Sequence, residues 1–65
     1  MKKFHQGDLI EIVGAPDQAI RTRLLIGKLG LVLEHVPQNS SQNIYLVLVE
    51  DLKINLHALD MRLVA

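Results

Sequence analysis

Cysteine is absent from all 65 residues, which removes disulfides, zinc-thiolate centres and thiol nucleophiles in one step and suits a reducing compartment. Rings are nearly absent as well. Only one Phe and one Tyr occur, and no Trp, although 49% of the chain is hydrophobic. Bases stack on aromatic platforms and proline-rich peptides dock in aromatic grooves, so both binding classes lose ground. Net charge of one sign is also missing, because seven Lys and Arg offset seven Asp and Glu. That removes the long-range field by which most nucleic-acid binders attract phosphate. No run approaches the roughly 18 apolar residues of a membrane span. The opening Met1-Lys2-Lys3-Phe4-His5-Gln6-Gly7-Asp8 lacks the apolar stretch of a signal peptide, so a cytoplasmic protein without membrane contact is expected.

What remains is an aliphatic chain cut into short runs. A length of 65 residues holds one domain, and a domain near that size buries only about 60% of the surface that its unfolded chain exposes. Leu9-Ile10-Glu11-Ile12-Val13 lies between the turn formers Gly7-Asp8 and Gly14-Ala15-Pro16-Asp17 and reads as a first strand. Leu29 to Val36, ended by Pro37, is the second; proline cannot donate to a ladder. Ile44 to Val49 follows the polar loop Gln38 to Asn43, Asp51-Leu52-Lys53 reads as a turn, Ile54 to His57 as a fourth strand and Met61 to Val64 as a fifth. Ala58-Leu59-Asp60 is too short for an α-helix and fits one 3-10 turn. Five short strands with one long early loop, residues 14–26, predict an all-β domain, a five-stranded SH3-like barrel spanning residues 1–65. A competing reading makes part of Pro16 to Leu25 helical, since Pro, Asp, Gln and Ala suit a first helical turn.

The segment Gly27-Lys28-Leu29-Gly30-Leu31-Val32 resembles the KOW motif of ribosomal proteins and transcription elongation factors. With Gly7 to Ile12 before it, Tyr45 to Leu48 after it and Leu59 to Val64 at the end, the layout is similar to many SH3-like barrels. It is also similar to the small peripheral subunit of photosystem I, which docks ferredoxin, and to a related docking subunit of the photosynthetic dehydrogenase complex. The first resemblance implies an RNA- or ribosome-associated domain, the second a protein-docking subunit.

Chemistry-bearing constellations are sparse. The glycines of the 27–32 turn have no following Lys-Ser/Thr or helix and make no phosphate loop. His5, His35 and His57 are the candidate metal or proton-transfer groups. In a meander His35 and His57 would share one edge of the sheet with a strand between them, about 9–10 Å apart, which is long for a shared metal. Ser40 and Ser41 lie in the polar loop with no base in view. No catalytic residue, metal or cofactor is therefore expected, and the chain reads as a non-enzyme.

Charge is uneven, with five cations against three acids through Leu33 and two against four beyond it. Arg21 and Arg23 on the long loop, with Lys28, are the candidate anion or nucleic-acid contacts. The stronger signal is leucine. If Ile10, Ile12, Val32, Tyr45, Val47 and Val49 point inward, as the KOW-like resemblance implies, strict alternation turns Leu31, Leu33, Leu46 and Leu48 outward. Four such leucines form a protein-interface candidate, unless strand ends, a bulge or the long loop carrying Ile20, Leu24, Leu25 and Ile26 covers them within the chain. The expected function is a non-catalytic protein-protein interaction or assembly module, a subunit of a larger complex or a small viral accessory protein. Its partner would be another protein or a second copy. The alternative is a KOW-like RNA- or ribosome-associated domain.

Overall fold

Successive side chains of a strand point to opposite faces, and the computed structural model, which describes residues 4–14, 23–37 and 42–65, shows which face of each strand is buried. The strands are β1 (Leu9–Ile12), β2 (Leu29–His35), β3 (Ile44–Val49), β4 (Leu52–His57) and β5 (Met61–Leu63), with a 3-10 turn at Ala58–Asp60 before the last. They form one antiparallel sheet in the order β4-β3-β2-β1-β5. The expected five strands and single turn are present, but the sheet is not closed into a barrel. β4 pairs along its whole length with β3, and β5 pairs with β1 through Ile10↔Leu63, Glu11↔Arg62 and Ile12↔Met61. The 3-10 turn carries the chain from one edge to the other, so β4 and β5 are joined by a corner instead of a ladder.

One face of this sheet holds the core. Ile10 and Ile12 of β1, Val32 of β2, Tyr45, Val47 and Val49 of β3, Leu56 of β4 and Met61 of β5 are all buried in one cluster. A single sheet whose five strands all feed one cluster must curl around it, as the right-handed strand twist favours. Phe4, Leu25 and Ala58 close the cluster from the connecting segments, and Ile54 packs partly against it. Gly30 also belongs to the inner face, where it pairs with Ile10. A Cβ there would lie 2.7 Å from Val47 Cγ1 and 3.0 Å from Val49 Cγ2.

Two local features depart from the sequence expectation. The β3–β4 turn is Glu50-Asp51, not Asp51-Leu52-Lys53: Leu52 and Lys53 already pair with Val49 and Leu48. Glu50 takes φ 57°, as a two-residue hairpin demands at its first position. A side chain in that left-handed region costs roughly 1–2 kcal/mol, and the exposed Lys28–Glu50 ion pair at 3.2 Å returns at most about 1. Glu50→Gly should therefore raise stability by roughly 0.5–1 kcal/mol. A higher denaturant midpoint at unchanged slope is the check, and a lower midpoint would mean that the ion pair outweighs the strain.

The second departure is a β-bulge. Val32 pairs with Val47, but the next pair is Glu34 with Leu46, so Leu33 is an extra residue in β2. Such a residue resets the alternation behind it. Glu34 comes outward, and His35 falls in the inner row opposite Tyr45. As for the competing helical reading, Arg23 and Leu24 are helical, and the rest of that stretch through Thr22 lies outside the described residues.

Candidate functional site

The outward side of the sheet collects leucine. Leu9 pairs with Leu31 and Leu31 with Leu48, so three leucines from three strands stand in one row, which Lys53 of β4 ends beside Leu48. Leu46 stands in the adjacent row between Glu34 and Asn55, and Leu29 pairs with Glu11 on the other side. Leu31 keeps 39% of its surface and Leu29 53%, while Leu9, Leu46 and Leu48 are half-buried, each shielded by its neighbours. Direct cross-strand neighbours lie about 4.5–5.5 Å apart at Cβ, close enough to form one continuous surface.

Of the four leucines singled out from sequence, Leu31, Leu46 and Leu48 share this surface. Leu33 is half-buried and stands at the bulge, where no cross-strand partner fixes its row. It lines a recess of about 310 Å³ with Phe4, His5, Glu34 and His35. Leu9 and Leu29 join the surface, and the alternation that turned Ile10 and Ile12 inward was the signal for Leu9. The long loop does not supply its leucines as a lid where it is described: Leu25 is in the inner core, while Leu24 and Ile26 are themselves exposed. Ile20 lies outside the described residues.

Charges rim the leucines. Glu11 pairs with Arg62 across β1 and β5, and Lys28 with Glu50 beside the hairpin. Glu34 and Lys53 are exposed and belong to neither ion pair. Of the proposed anion contacts, Lys28 is engaged by Glu50, Arg23 is exposed, and Arg21 lies outside the described residues, as do Ser40 and Ser41.

The rings of His35 and His57 have local structural work, and His5 contributes its backbone. The backbone N–H of His5 donates to the Asp8 carboxylate at 2.9 Å. His35 lies against Tyr45 with ring centroids 4.9 Å apart and hydrogen-bonds through Nε2 to the Gln42 carbonyl. His57 Nδ1 accepts from the Leu59 N–H at 3.0 Å and so caps the 3-10 turn. His35 shares the inner row with Tyr45 and Leu56, whereas His57 pairs with Ile44 in the alternate row, so the two rings belong to opposite faces. Among the described residues no group of three or more His, Cys, Asp or Glu is arranged to hold a metal ion, and no helix is long and apolar enough to cross a membrane.

No protein-family model matches the chain, and neither a curated protein nor a solved structure does.

Proposed function

We propose that the chain is a non-catalytic protein-docking module of SH3-like layout, working in the cytoplasm, whose outward leucine face is the docking surface. The meander of four strands, the return of β5 to β1 and the 3-10 turn before β5 support the SH3-like layout. The observation that carries the docking role is the row Leu9–Leu31–Leu48 in direct register across three strands, flanked by Leu29 and Leu46. Burying one leucine yields about 1.5–3 kcal/mol, and soluble monomers seldom leave a contiguous apolar surface of several leucines in water.

The test separates a face that docks from one that the chain covers itself. In dilute solution Leu29→Thr with Leu31→Thr should melt within about 1 kcal/mol of wild type, as exposed substitutions do. Retention on an apolar chromatography resin should fall. A loss of more than about 3 kcal/mol at the same dilution, the scale of large-to-small core changes, would place these leucines in the chain's own core and end the docking reading.

A further inference from the structure

We infer that the partner of the leucine face is a second copy of this chain, packed sheet against sheet about a two-fold axis; the inference rests on the docking reading above. Three observations choose this occupant. The first is the chemistry of the face. Its centre is purely aliphatic, and among the described residues Arg62, at its rim, is tied to Glu11. Non-obligate interfaces are about as polar as the rest of a protein surface, whereas homodimer interfaces are more apolar and resemble a divided core. Leucine against leucine is the second kind.

Charge is the second observation. Glu34 and Lys53 are exposed, opposite in sign and outside both ion pairs, and they flank β3 on opposite sides, Glu34 beside Leu46 and Lys53 beside Leu48. A two-fold axis running along β3 exchanges the two sides of that strand. It carries Lys53 of one copy toward Glu34 of the other, and the symmetric contact repeats the pair. Because the formal charge of the whole chain is zero, two copies meet without net repulsion.

The third is area. A stable interface buries about 800 Å² on each partner, close to a fifth of the 4415 Å² that this small molecule exposes. A peptide strand lying along one row of leucines leaves the other rows wet. A second sheet of the same width covers them all, at the roughly 10 Å spacing of packed sheets.

Sedimentation equilibrium of the full chain, with circular dichroism to confirm folding of each variant, tests the inference. Wild type should reach twice the 7.3 kDa chain mass as concentration rises, and Leu48→Glu should stay monomeric and folded. Glu34→Lys and Lys53→Glu should each weaken the dimer about tenfold, and the double reversal should recover most of it, because a like-charge contact is replaced by an attractive one. A wild type that remains monomeric at about 0.5 mM, weaker than any specific dimer of use, overturns the second copy. So does a dimer that Leu48→Glu leaves intact, or single reversals that the double does not rescue. Failure here with near-unchanged melting of the Leu29 and Leu31 variants removes only the identity of the partner. Failure of both removes the docking face.

Discussion

Val47→Glu should leave no folded monomer. Val47 is fully buried between its cross-strand partners Val32 and Ile54, and no described ion pair lies on that inner face to receive a carboxylate. Burying an uncompensated charge, or neutralising it, costs several kcal/mol. A core of this size supplies about 3–5 kcal/mol in total. The expected far-ultraviolet spectrum is that of an unfolded chain at 25 °C, with no cooperative melt. Leu46→Glu, one residue earlier, places the same charge on the outer face between Glu34 and Asn55. It should keep a cooperative melt and lose association. The contrast between neighbouring positions reads the strand register directly, since a slip of one residue would exchange the two results.

Gly30→Val should be the second large effect, against β-propensity, which favours valine in a strand. The obstacle is steric. A Cβ at this position meets Val47 Cγ1 at 2.7 Å, Val49 Cγ2 at 3.0 Å and the Leu48 carbonyl oxygen at 3.3 Å, so core methyls and a backbone atom would all have to move. Overpacking of this kind costs about 1–3 kcal/mol for the first methyl groups. Gly30→Ala should therefore lower the melting temperature by about 10 °C, given about 4–8 °C per kcal/mol in a domain of this length. Valine should lower it further. A melt for Gly30→Ala equal to wild type would mean that β2 and β3 do not approach so closely.

The inner face was legible because the KOW-like resemblance chose the inward side and a period of two carried it along each strand as far as the β2 bulge. Ile10, Ile12, Val32, Tyr45, Val47 and Val49 were expected inside and all are buried. Ala58–Asp60 was legible because three residues between two strand segments leave room for one tight turn only. A bulge was one alternative for the leucine strands but was not placed, although its position had a signal: strict alternation from Val32 would have sent Glu34 inward, and a charge in phase with the core is the mark of an extra residue. The hairpin turn was placed one residue late because Glu is an unusual residue for a positive φ, so Asp51 announced it and Glu50 did not. Open edges at β4 and β5 could not be read at all, since alternation fixes faces and leaves the pairing of the outermost strands undetermined. For the site, Leu31, Leu46 and Leu48 followed from the same period. Leu33 stands at the bulge, outside the register rows, and Leu25, offered as cover for the outer face, belongs to the core.

The proposed docking reading divides the molecule by face, with folding on the inner side of the sheet and recognition on the outer side. Methyl relaxation by a soluble paramagnetic agent, followed from dilute to concentrated solution, tests that division most directly. In dilute solution the methyls of Leu31 and Leu48 should relax strongly while those of Val47 and Val49 do not; on concentration the leucine methyls should become protected and the valines stay unchanged. Leucine methyls that are protected at every dilution, or equally exposed at every concentration, would contradict the account.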